Sequence, residues 1–166
     1  MGYNFRITDM QAVIGLAQFS RLGEVIRKKR RLRETYRDLL KDCPGVRFPM
    51  DTGVGEVVPF RVSILVADPE GLSTFLAASD IGTRRFFYPL HRQPSFNEQN
   101  SVVPYVPVNS VRAFETGLML PSGLDLTETQ IDRVCACVRK YQRSLGDRAD
   151  SSSQSVAASD TCAVGT

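Results

Sequence analysis

Apolar positions along the first forty residues recur at the spacing of a helix. Met10, Val13, Ile14 and Ala17 fall three and four residues apart, which gathers them on one helical face. Thr8 followed by Gln11 is a capping-box pattern: the hydroxyl accepts from a free backbone N–H and the amide reaches back, so a helix is predicted from about Asp9. Gly23, after Ser20-Arg21-Leu22, offers a break or a bend. A second helix is predicted from roughly Glu24 to Asp42, about 27 Å long, with Val25, Ile26, Leu32, Tyr36, Leu39 and Leu40 toward a partner. Pro44 and Gly45 end it, since proline cannot continue the hydrogen-bond ladder and glycine permits the turn.

The rhythm then changes. Between Val57 and Ala67 the residues Val58, Phe60, Val62, Ile64 and Val66 alternate with their neighbours, the period of a strand, and Pro59 stands near its start, where a missing N–H is tolerated. Residues 70–80 read as a short helix through Leu72, Phe75, Leu76 and Ala78, capped by Gly82, and TRRFFYPL follows as a second strand. Residues 91–115 are polar and proline-bearing and read as a long loop. GLML at 117–120 is a third strand, and Thr127 with Gln130 repeats the capping box ahead of a helix striped by Ile131, Val134, Cys135, Val138 and Tyr141. After Gly146 the chain has nothing to bury and is expected to be disordered. These elements predict an α+β class: a helical arm at 1–45, a small α+β domain at 46–145 and a tail at 146–166.

Composition narrows the function classes. The 166 residues suit one domain with a core, and 42% hydrophobic with 23% charged residues is the balance of a soluble globular chain. Lys and Arg total 21 against 18 Asp and Glu, and only four are lysine. Much of the net +3 comes from the basic run at 27–33. One basic helix without interleaved aromatics reads as a solvated face, so no nucleic-acid partner is expected. The four cysteines have no metal-ligand spacing, because Cys135-Ala136-Cys137 is not a C-x-x-C and no histidine lies near it, so no metal is expected. No secretory segment and no apolar run of ~18 residues occurs, so the expectation is cytoplasmic, with no membrane partner. Arg6 stands where a myristoylation signal needs Ser or Thr.

Candidate chemistry is sparse. A Schiff-base enzyme needs a lysine amine. Here Lys28 and Lys29 lie in the basic, solvated face, while Lys41 and Lys140 sit near helix C-termini, and none has a setting that suggests desolvation. His91, the single histidine, ends a predicted strand beside Arg84, Tyr88, Arg92 and Gln93. It reads either as a half-exposed residue without a role or as a contact to a phosphorylated or sugar ligand. Asn4 and Arg6 precede a helix N-terminus, a place that attracts phosphate, or else belong to a frayed chain end.

The segment GYNFRITDMQAVIGLAQ closely resembles the G-Y-N-x-R-x-T-D-x-Q-A-A-I-G-L-x-Q segment of the DegT/StrS-type aminotransferases. The likeness continues in order through RLGEVIRKKRRLRETYRDLL, GTRRFFYPLHRQPSF and GLMLPSGLDLTETQIDRV, over roughly residues 2–143, and FFYPLHRQPSF is most similar to the perosamine-synthase branch. Gly23 departs from the acidic residue usual there. The resemblance implies the small C-terminal domain of a fold-type I transferase, dependent on pyridoxal 5'-phosphate (PLP) and acting as a homodimer on keto sugars attached to nucleotides, in amino-sugar and polysaccharide biosynthesis. It places the Schiff-base lysine in a large domain upstream of the G-Y-N motif, so this chain is expected to be a fragment without that domain, to bind PLP weakly, and to be inactive alone. The resemblance gives Asn4 a contact to the cofactor phosphate of the other subunit, and puts Arg84, Tyr88 and His91 at the sugar-nucleotide pocket, with no catalytic residue in the chain. The rival expectation is a non-catalytic nucleotide-sugar-binding or regulatory module that docks on an intact aminotransferase.

Overall fold

The structure, a computed structural model, describes residues 5–51, 53–94 and 107–159, with side chains as far as 147. It opens with α1 (Asp9–Phe19), whose capping box forms as the sequence predicts: Thr8 Oγ1 accepts from Gln11 N–H, and Thr8 N–H donates to Gln11 Oε1 at 2.9 Å. The break to α2 (Leu22–Leu40) falls at Ser20 and Arg21 rather than at Gly23, which lies inside the first turn of α2. Gly45, at φ 76°, makes the turn after α2.

Strand β1 (Val62–Leu65), helix α3 (Pro69–Ala77), strand β2 (Arg84–Arg85), a short 3-10 turn (Leu90–Arg92), helix α4 (Val108–Thr116), strand β3 (Gly117–Leu120) and helix α5 (Glu128–Ser159) follow. The strands form an antiparallel sheet in the order β1-β3-β2. Val62 pairs with Leu120 and Ile64 with Leu118, so these four side chains share the inner face. That face joins Leu32, Tyr36 and Leu40 of α2, Leu72 and Leu76 of α3, and Ile131, Val134, Cys135 and Val138 of α5 in a single core. Each fully buried aliphatic side chain there contributes roughly 1.5–3 kcal/mol of apolar transfer free energy. Tyr36 is wholly buried, and its hydroxyl donates to the Pro121 carbonyl at 3.1 Å, which ties α2 to the turn after β3.

Several sequence expectations are corrected. The strand predicted over 57–67 is confined to Val62–Leu65 because its partner β3 has only four residues, and Val58 and Phe60 are left exposed. TRRFFYPL keeps ladder pairing only at Arg84 and Arg85. Within the expected loop at 91–115 stands α4, whose N-cap is Pro107: the proline taken as a loop marker suits a helix start, where its missing N–H needs no partner. The left-handed residue after α3 is Asp80, at φ 55°, rather than Gly82. The sequence division at 45 groups α2 with the arm, yet Leu32, Tyr36 and Leu40 belong to the core of the sheet. Helix α5 extends to Ser159, past Gly146. No helix among the described residues is long and apolar enough to cross a membrane.

Helix α1 buries no residue. Met10, Val13, Ile14, Leu16 and Phe19 are all more than half exposed, an apolar surface that soluble monomers rarely keep.

Candidate functional site

The basic run of α2 is matched by local acceptors. Lys28 pairs with Glu24 at 2.8 Å, Arg30 with Glu56 at 2.7 Å, Arg31 with Glu128 at 3.3 Å and Arg33 with Asp51 at 2.5 Å. Lys29 is not on a solvated face, as the sequence reading has it. Its Nζ donates to the Phe60 carbonyl at 3.2 Å and to the Ser122 carbonyl at 2.5 Å. Burial, and then the neighbouring Arg61 charge, holds its pKa below the usual lysine value. Its ammonium thus ties α2 to the chain before β1 and to the turn after β3.

The segment that follows β2 is fastened to the C-terminal end of α4. Arg85 donates through Nη2 to the carbonyl of Phe114 at 2.9 Å, and its guanidinium lies over the Phe114 ring at 5.6 Å. A cation at a helix C-terminus satisfies carbonyls that have no intrahelical partner and complements the dipole. Phe114 in turn meets Tyr88 edge to face, with ring centroids 5.2 Å apart. Arg92 and Glu115 add a contact at 4.0 Å. Gly117 is required beneath this segment, because a Cβ there would collide with the Ala113 carbonyl and the Phe86 ring.

Tyr88 and His91 therefore share one stretch of chain braced on α4. Tyr88 remains 47% exposed, and His91 is half-buried in the 3-10 turn. Arg84 is apart from them: it pairs with Met119 across β3 and lines a cleft of about 250 Å³ with Arg61, Thr83, Leu120 and Pro121. Asn4 lies outside the described residues. Sequence reasoning missed Arg85 and Phe114 as the brace, and Arg61 as the companion of Arg84. For Arg61 a signal existed, because it precedes inward-facing Val62 in a period-two pattern and so must face outward.

At the other edge of the core, Asp68 caps α3. Its carboxylate accepts from Gly71 N–H at 2.8 Å and from the Tyr141 hydroxyl at 2.6 Å, and these bonds, the tyrosine first, hold its pKa below the ordinary aspartate value. Cys43 and Cys135 are buried, and burial raises both thiols, Cys135 to about 12.

Comparison with known proteins places this architecture. Residues 1–139 match the DegT/DnrJ/EryC1/StrS aminotransferase family. GDP-perosamine synthase of Vibrio cholerae is 31% identical over 147 residues, which cover 85% of this chain and 39% of that protein. The lipopolysaccharide biosynthesis protein RfbH of Salmonella typhimurium is 33% identical, over 88% of this chain and 34% of its own length. Among solved structures, a DegT DnrJ EryC1 StrS aminotransferase from Brucella abortus superposes with a TM-score of 0.75 at 25% identity, over 86% of this chain and 38% of that one. The chain thus spans less than two fifths of the length of these relatives. The family match over most of its residues and the shared α+β architecture establish that the chain belongs to the DegT/DnrJ/EryC1/StrS aminotransferase family.

Proposed function

We propose that the chain supplies the small domain of a PLP-dependent aminotransferase that acts on nucleotide-linked keto sugars, working in the cytoplasm as a homodimer in amino-sugar and polysaccharide biosynthesis. The observation that carries this reading is the bracing of the Tyr88–His91 segment on α4, which holds an exposed phenol and an imidazole on one short stretch. In this reading Tyr88, His91 and Arg84 contact the sugar nucleotide, and Asn4 contacts the cofactor phosphate of the other subunit. The exposed apolar surface of α1 packs against a large domain.

The described residues do not by themselves make a PLP site. Lys28 is paired with Glu24, Lys29 is committed to two carbonyls, and Lys41 and Lys140 are exposed. A Schiff-base lysine must come from elsewhere, either another part of a longer chain or a second polypeptide. The chain alone is accordingly expected to be inactive.

Two measurements test this. The purified chain, incubated with PLP and reduced with borohydride, should show no stoichiometric adduct by mass analysis; an adduct on one lysine would overturn the assignment. Joined to the large domain of a GDP-perosamine synthase, it should support amination of the keto sugar, with KM raised by Tyr88→Ala or His91→Ala. Unchanged KM in both variants would remove these residues from the substrate site.

A second reading, a non-catalytic nucleotide-sugar-binding or docking module, is favoured by the core itself, in which α2, α3 and α5 already cover the inner face of the sheet. Failure of the joined protein to aminate the keto sugar, together with submillimolar binding of a nucleotide sugar by the chain alone, would favour that reading.

A further inference from the structure

We propose that Arg61 and Arg84 form a two-guanidinium clamp for a phosphoryl-bearing anion on the outer face of the sheet, and that within the function proposed above its ligand is the diphosphate of the nucleotide sugar. The assignment of Arg61, and the pairing of the two arginines, follow from the sheet register. Val62 and Leu120 face inward as a pair, so Arg61, one residue earlier, points outward, as does Arg84 opposite Met119. Strands β1 and β2 flank β3, which puts the two arginines on opposite sides of the central strand and two residues apart along it, about 12 Å between Cα atoms. Side chains as long as arginine converge readily over that gap. Both line the same cleft of about 250 Å³.

Among the described residues no carboxylate offsets the charge of the pair. Lys28, Arg30, Arg31, Arg33, Arg37 and Arg92 each meet a carboxylate. Among the described residues neither Arg61 nor Arg84 has an ion-pair partner, and no Asp or Glu lines their cleft. Arg61 instead lies over the Phe60 ring at 5.2 Å, a contact with the π face that consumes no N–H donor. Lys29, on the carbonyls of Phe60 and Ser122, adds positive charge nearby. Two planar donor forks facing one small cleft match the oxygens of two linked phosphoryl groups better than one carboxylate, since each fork can take a bidentate pair.

The test is titration of the full chain with inorganic pyrophosphate by calorimetry, at low salt and at about 0.5 M salt, where charge contacts are screened. The expected result is saturable one-to-one binding that weakens about tenfold or more in Arg61→Gln and in Arg84→Gln, less in Arg61→Lys, and not at all in Arg31→Gln. Thermal melting of each variant checks the fold, and Arg61→Lys carries the test if Arg61→Gln does not fold. Binding that is absent in the parent chain, unchanged in Arg61→Gln, or equally weakened in Arg31→Gln would overturn the clamp. A parallel titration with a GDP-linked sugar separates the two readings. Clamp-dependent pyrophosphate binding with no gain for the sugar nucleotide supports the clamp and counts against the nucleotide-sugar function. Sugar-nucleotide binding that Arg61→Gln leaves intact overturns the clamp and supports that function.

Discussion

Gly117→Ala tests whether the segment bearing Tyr88 and His91 is fixed by packing beneath it. Gly117 pairs with Leu65 at the start of β3, and its backbone is ordinary extended chain, so alanine brings no strain in φ. The added Cβ would meet the Ala113 carbonyl and two Phe86 ring atoms, all closer than 3.0 Å. Neither neighbour yields freely: the carbonyl belongs to the last turn of α4, and the ring precedes the chain braced by Arg85 and Phe114. Overpacking of this kind costs ~1–3 kcal/mol, offset by ~0.4–1 kcal/mol from the lower entropy of the unfolded chain. A net loss of about 1–2 kcal/mol is expected, seen as a fall in Tm of roughly 2–8 °C. Urea unfolding of the parent, Gly117→Ala, Phe86→Ala and the double variant apportions the cost. Without the ring, the penalty for Gly117→Ala should shrink by about 1 kcal/mol but persist, because the Ala113 carbonyl remains. The Tyr88 ring resonances should also lose the ring-current shift imposed by Phe114. A Gly117→Ala chain as stable as the parent, or a penalty identical with and without the Phe86 ring, would refute this reasoning.

Helix α1 leads to a second expectation: the purified chain should self-associate in sedimentation, and Val13→Glu with Ile14→Glu should return it to monomer, since these side chains are exposed and apolar; a monomeric parent would count against the docking role of α1. Asp68 has its pKa depressed by the Tyr141 hydroxyl and Gly71 N–H, so its stabilisation is present above the unfolded aspartate value and lost as pH falls through the lower folded value. Asp68→Asn should therefore flatten the acid limb of stability below about pH 4, measured by chemical unfolding as a function of pH. Finally, Cys43 and Cys135 should react with thiol reagents at pH 8 far more slowly than half-buried Cys137, because burial raises both thiols; peptide mapping that finds Cys135 labelled first would contradict the packing.

The sequence by itself determined what depends on near neighbours. Both capping boxes form between residues three apart, Thr8 with Gln11 and Thr127 with Gln130, so the starts of α1 and α5 were legible without tertiary context. The strand at 117–120 was legible as a short continuous apolar run, all four residues of which are buried, and the stripe from Ile131 to Tyr141 as a helical period that converts directly into a buried face. The family resemblance was likewise carried by contiguous segments. Tertiary structure decided the rest. A period-two run from Val58 to Val66 states which way side chains alternate, but only pairing with a four-residue β3 decides that Phe60 stays exposed while Ile64 is buried. Helix α4 buries none of its residues and follows Pro107, which reads as a loop marker, and its C-terminal carbonyls are held by Arg85, 29 residues before Phe114. The charge run on α2 gave no sign that Lys29 would find two carbonyls, one of them 93 residues away. Arg61 and Arg84 belong to strands that meet only through β3, so their shared cleft is a consequence of strand order, which local propensity does not encode.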